Sequence, residues 1–76
     1  MNEQILNRVR EIAGDVLEAE VQADSSPATV ESWDSVKHLN LMLALEEEYG
    51  FQFLPEEMDE AKSVAHIARL VTAKRA

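Results

Sequence analysis

Residues 31–50, ESWDSVKHLNLMLALEEEYG, decide how the rest of the chain is read. A small polar lead-in meets an apolar-rich segment at the pair Asp34-Ser35, and the segment stops at Gly50. Asp and Ser are good helix N-caps, and Gly adopts the left-handed conformation that closes a helix, so the stretch predicts a helix over 35–49. At about 100° per residue, Leu41, Met42, Leu45 and Tyr49 gather on one side of it. Val36, Leu39 and Leu43 gather on another, and beyond Leu43 that second side turns acidic through Glu46 and Glu47. A helix packed on one face needs only one stripe. Either this helix lies between neighbours and buries both, or the second stripe is an exposed face, apolar near Ser35 and acidic further along, suited to transient docking. The run Glu46-Glu47-Glu48 points in three successive directions and favours a solvated C-terminal half.

Working outward, a second helical pattern covers residues 3–18. Ile5, Val9, Ile12 and Val16 recur at helical spacing, with Leu6, Ala13 and Leu17 widening the stripe. Gly14 interrupts it, a flaw of about 1 kcal/mol in a helix interior unless it marks close packing. Residues 19–33 lose the pattern; small polar residues and Pro27 predict a loop anchored by Val21, Val30 and Trp33. A connection of that length in a small domain usually has a task or contains a short helical turn. After Gly50, FQFLP is a bridge, and Pro55, Glu56 and Glu57 suit the first turn of a short helix near 56–61. Ser63 caps a last helix over 63–74, with Val64, Ile67, Ala68 and Val71 inward and Lys74 and Arg75 at the C-terminal end. The pattern is all-α: a small bundle of three main helices and one short one, filling residues 1–76 as a single domain.

Composition limits what such a bundle can do. At 76 residues a deep catalytic cleft is not expected, and the absence of cysteine excludes disulfides, thiolate metal sites and a cysteine nucleophile. Fifteen acidic against seven basic residues give a formal charge of −8, which repels nucleic-acid phosphates and anionic lipid and suits partners with basic patches. Apolar runs are too short for a membrane span and the N-terminus is charged, so the expectation is a cytoplasmic, monomeric protein without nucleic-acid binding or membrane insertion. The two histidines are far apart, and the acidic clusters lack the ligand spacing of a calcium loop, so no metal site is expected. His66 falls on the polar side of the last helix, and Met42 and Met58 read as core filler.

Ser35 has two readings. Asp34, Ser35 or Ser32 caps the helix, or the Ser35 hydroxyl is a modification site at a helix end whose free N–H groups tolerate a phosphodiester. A hydrolase built from Ser35, His38 and Asp34 is disfavoured, because adjacent side chains on one small helix do not give a sheltered triad with an oxyanion hole.

The segments DSVKHLNLMLALEEEYG, FLPEEM and SVAHIARLV, in that order and spacing, resemble the acyl carrier protein family over essentially the whole chain. The resemblance implies the acyl-carrier type of four-helix bundle and a carrier rather than an enzyme. It implies that Ser35 bears 4′-phosphopantetheine, transferred from coenzyme A by a phosphopantetheinyl transferase, and that Asp34 assists recognition by the transferase. It further implies that Val36, Leu39, Leu43, Glu46 and Glu47 dock acyl-loading and acyl-processing enzymes, in a fatty-acid-like or specialised pathway. A cargo chain in that family folds back between the helices, where Leu41, Leu45, Phe51, Phe53 and Ile67 are candidates for the lining or for ordinary core.

The chain departs from the family's pattern at several positions. Val36 stands where Leu is usual after the serine, Ser32 replaces a glycine, and Trp33 replaces a small residue. Lys37 and Asn40 occupy positions that are usually acidic in carriers of fatty-acid synthesis, which points to a dedicated pathway. Trp33 reads as a loop anchor and His38 as a partly exposed residue near the arm. An aminoacyl or peptidyl carrier of the same fold, an unmodified helical interaction module, and an acidic nucleic-acid mimic are the alternative readings.

Overall fold

A computed structural model describes residues 3–75. Among them the helices are α1 Glu3–Leu17, α2 Ser35–Tyr49, α3 Pro55–Glu60 and α4 Val64–Arg75. The all-α expectation holds, and α2 has the predicted bounds. Elsewhere the ends move by one residue, each for a local reason. α1 stops at Leu17 because Glu18 takes the left-handed conformation, φ 54°, and the Ala19 N–H closes onto the Gly14 carbonyl at 3.2 Å. A Cβ on Gly14 would lie 3.2 Å from the Ala19 carbonyl oxygen, so the glycine makes room for that closing turn. α3 begins at Pro55, whose missing N–H is harmless in a first turn. Ser63 lies just outside α4 and caps it, its Oγ accepting the His66 N–H at 3.1 Å.

The stripe predicted on α1 is the buried one: Ile5, Val9, Ile12, Ala13 and Leu17 are inside, with Leu6 and Val16 at the margin. α1 packs against both α2 and α4, so the helix gripped from two sides is α1 rather than α2. From α2 come Leu41, Met42 and Leu45, with Tyr49 partly buried; from α4 come Val64, Ile67, Ala68 and Val71, as their spacing predicts. Each large side chain fully buried here contributes about 1.5–3 kcal/mol of transfer free energy.

The long loop does have a task. Its Ser25 and Ala23 carbonyls accept the N–H groups of Val64 and Ala65 at 3.0 and 2.8 Å, which serves donors of the first turn of α4 that no helix can satisfy internally. Val21 and Trp33 plug into the core and Val30 packs on its edge, as expected of the anchors. Ser32 Oγ donates to the Leu17 carbonyl at 2.8 Å, fixing the chain just before α2.

α3 is held differently, for it has no buried residue of its own. Its N-terminus is braced by Glu57, whose carboxylate accepts the Leu54 N–H at 2.7 Å and pairs with Lys74 at 2.8 Å. Those two contacts, the backbone bond first, hold the Glu57 carboxyl below the ordinary glutamate range. Ala61, just after the helix, is buried and pins its C-terminal end.

Candidate functional site

The N-terminus of α2 resolves which residue caps it. Asp34 is extended, and its Oδ1 accepts the Lys37 N–H at 2.8 Å while its carbonyl accepts the His38 N–H at 2.8 Å. Ser32 is engaged with Leu17. Asp34 therefore caps the helix, and Ser35 is left over: it is exposed, and its hydroxyl has no hydrogen-bond partner among the described residues. The first-turn N–H groups of Ser35 and Val36 have no intrahelical acceptor, and they give this end of α2 a partial positive charge. A phosphodiester on the hydroxyl fits that environment, with Lys37 the neighbouring cation.

Of the two apolar stripes on α2, only one is buried. Val36 is 67% exposed, and Leu39 and Leu43 are each 49% exposed, so the chain runs an open apolar strip down α2 away from Ser35. The alternative in which both stripes are covered by neighbouring helices does not occur. Leu54, which the sequence reading left in the bridge, is also 54% exposed at the entrance to α3.

The acidic residues beyond the strip have separate roles. Glu47 is exposed and makes no ion pair among the described residues. Glu46 is half-buried, and its Oε2 accepts the Phe53 N–H at 2.7 Å, tying the bridge to α2. Glu48 takes a two-pronged contact from Arg8 of α1 at 3.0 Å on each oxygen, and Arg8 also reaches Glu11 at 2.9 Å. The Arg8 hydrogen bonds hold the Glu48 carboxyl below its ordinary range, and the same contacts raise the Arg8 guanidinium. At the far end of α2, burial and then the Glu48 charge push the Tyr49 hydroxyl up.

Beside Ser35 a groove of about 690 Å³ opens between α2, α3 and the long loop. Trp33 and Ala61, both nearly inaccessible, lie along it, with Leu39, Met58 and Lys62 among its sides. His38 spans it. The Trp33 Nε1–H donates to His38 Nδ1 at 2.9 Å, the rings stack at 6.0 Å, and His38 Nε2 meets the Met58 carbonyl at 2.7 Å. The sequence placed His38 near Ser35 as a partly exposed residue, which it is; that both ring nitrogens are engaged needed the fold. This removes the hydrolase arrangement, because neither nitrogen is left for Ser35 and Asp34 Oδ1 is committed to the cap.

The residues left open between cargo lining and ordinary core belong to the core or its edge. Leu41, Leu45, Phe53 and Ile67 are buried core, and neither they nor Phe51 line the groove at Ser35. Phe51 instead joins an aromatic cluster with Tyr49 and Phe53, over which Lys74 and Arg75 of α4 lie. Met42 is core filler as expected, whereas Met58 sits at the core's edge, and His66, read as lying on the polar side of the last helix, is half-buried.

The described residues thus form a short all-helical bundle with an exposed serine at the head of α2 that takes no part in capping, and an open apolar strip beyond it. The solution structure of a holo acyl carrier protein from Geobacter metallireducens is similar to it, with a TM-score of 0.81 and 29% identity over 91% of this chain and 83% of that one. The chain shares the acyl carrier protein fold, and the family resemblance carried by its motifs holds in three dimensions. No family model and no curated protein matches it. Among the described residues no helix is long and apolar enough to cross a membrane.

Proposed function

We propose that this protein is an acyl carrier protein that receives 4′-phosphopantetheine on Ser35 and presents thioester-bound acyl groups to the enzymes of a fatty-acid-like or specialised biosynthetic pathway. The observation that carries this reading is the spare Ser35 hydroxyl: exposed, free of hydrogen bonds among the described residues, and next to a residue that already does the capping. In the transfer, Ser35 Oγ forms a bond to phosphorus, the pyrophosphate bond of coenzyme A breaks, 3′,5′-ADP leaves, and the hydroxyl proton passes to a base of the transferase. Once attached, the arm supplies a terminal thiol for thioester formation.

The remaining work belongs to the chain's own residues. Asp34 has one carboxylate oxygen in the cap, and the other is available to the transferase and its metal. Val36, Leu39 and Leu43 offer apolar contact area at the partner surface, and Glu47 offers charge to a basic patch, which raises the encounter rate more than the final affinity. Tethering then converts each delivery into a local search at high effective concentration. No acid, base or oxyanion hole is required of the carrier, in keeping with His38 and Asp34 being held by other groups.

The test is an intact mass spectrum after incubation with coenzyme A, magnesium and a broad-specificity phosphopantetheinyl transferase. Wild type gains the mass of one phosphopantetheine and Ser35→Ala gains none while remaining folded. A folded wild type that gains nothing from several transferases would refute the reading and leave a helical interaction module.

A further inference from the structure

The contacts of His38 fix its ring chemistry. An indole N–H can only donate, so His38 Nδ1, 2.9 Å from Trp33 Nε1, carries no proton. A backbone carbonyl can only accept, so Nε2, 2.7 Å from the Met58 oxygen, carries one. His38 is thus the neutral Nε2–H tautomer, a double-ended connector running from the loop residue Trp33, through α2, to α3. α3 buries no residue of its own, and among the described residues this is the hydrogen bond that joins it to α2.

The bridge lies in the groove that contains Ser35. Trp33 and Ala61 are groove-lining residues and also members of the buried cluster, so they form the partition between groove and core. To pass that partition, a chain attached at Ser35 must part α2 from α3. Parting them withdraws Met58 from His38 and loosens His38 from the indole, which strands polar groups in a half-buried setting.

We propose that the Trp33–His38–Met58 bridge bolts the α2–α3 cleft shut, keeps the carried group in the open groove beside Ser35, and so favours short or polar acyl groups over long alkyl chains. This rests on the carrier reading above. The groove suits such cargo: Leu39, Met58 and the indole line it with apolar surface, it is open to water, and the exposed Asp59 and Lys62 in its lining offer partners to polar substituents. A long alkyl chain on an open groove leaves much of its area wet and gains little. His38 is here a positioning residue, acting through α3 rather than on the cargo.

The experiment has two parts. In the unmodified full-length protein, nitrogen-15 NMR of the histidine rings is expected to show His38 as the Nε2–H tautomer, with the Trp33 indole proton protected from exchange. Protein loaded from acetyl- or octanoyl-coenzyme A is then compared by methyl NMR. In wild type, octanoyl is expected to shift Leu39 and Met58 relative to acetyl and to leave Leu41, Leu45 and Ile67 unmoved. In His38→Ala, octanoyl shifts those core methyls and raises the thermal midpoint above that of the acetyl form. Trp33→Phe keeps a ring in the partition and removes the donor; it moves the same way and serves if His38→Ala does not fold. Core methyls that shift with octanoyl in wild type would overturn the bolt while leaving the carrier reading intact. An Nδ1–H or doubly protonated His38 would also overturn it. Failure of Ser35 to accept any arm would instead bring down the carrier reading and, with it, the assignment of cargo.

Discussion

Leu43 and Leu45 stand two residues apart on α2 and should respond to truncation in opposite ways. Leu45 is fully buried, and Leu45→Ala removes three carbons from a packed core and leaves a space that its neighbours fill only in part. Such substitutions cost about 2–5 kcal/mol. At about 0.05–0.15 kcal/mol per residue, a chain of 76 residues has about 4–11 kcal/mol of total stability, so the loss is a large share of it. In a domain of this size each 1 kcal/mol moves the thermal midpoint by about 4–8 °C, and a central loss of about 3 kcal/mol lowers it by about 12–24 °C. Leu43 is 49% exposed, so its truncation forfeits roughly half of a leucine's burial, about 1 kcal/mol, and opens no closed cavity. Leu43→Ala should therefore melt within about 4–8 °C of wild type, yet be modified more slowly by the transferase and transfer cargo poorly to partner enzymes. Urea and thermal unfolding of both variants, paired with a modification time course, give the comparison. Equal destabilisation by the two substitutions would mean that the second stripe is covered in solution and is no docking face.

Three further outcomes are expected. Glu46→Ala leaves the Phe53 N–H without its acceptor and should destabilise by about 1–3 kcal/mol, whereas Glu47→Lys should leave urea unfolding nearly unchanged and slow association with a cationic partner; a reversed pattern would put Glu47 in the structure and Glu46 in the interface. Glu18→Gly should stabilise by about 0.5–1 kcal/mol by relieving φ 54°, and Gly50→Ala should destabilise by about 1 kcal/mol because Gly50 sits at φ 73°, both read from chemical denaturation. Glu48 and Glu57 are held below the ordinary glutamate value of 4.5, so the stability they contribute is complete above that pH and is lost as pH falls through their folded values. Urea midpoints of wild type and Glu57→Gln should accordingly converge on acidification below 4.5, and a gap that widens there would contradict the sign.

Much of this protein was legible in its sequence because its helices are short, strongly periodic and well punctuated. The inward residues of α1 and α4 followed from spacing alone, since a regular 3.6-residue period fixes which side chains share a face whatever that face meets. The stop at Gly50 and the start after Asp34 were set by backbone chemistry that acts within a few residues, and for that reason α2 kept its predicted bounds. The two stripes of α2 could be seen in the sequence, but not which would be covered, because exposure depends on neighbours: α1, packed against both α2 and α4, takes the central place and leaves Val36, Leu39 and Leu43 open. The same holds for the acidic run, where only the bridge's approach consigns Glu46 to Phe53 and only the α1–α2 crossing gives Glu48 to Arg8. The sequence by itself determined the helices, their inward faces and the serine at the head of α2. Tertiary structure decided that this serine is spare and that His38, twenty residues from Met58, is hydrogen-bonded from α2 to α3, because hydrogen bonds between distant residues exist only once packing has brought donor and acceptor together.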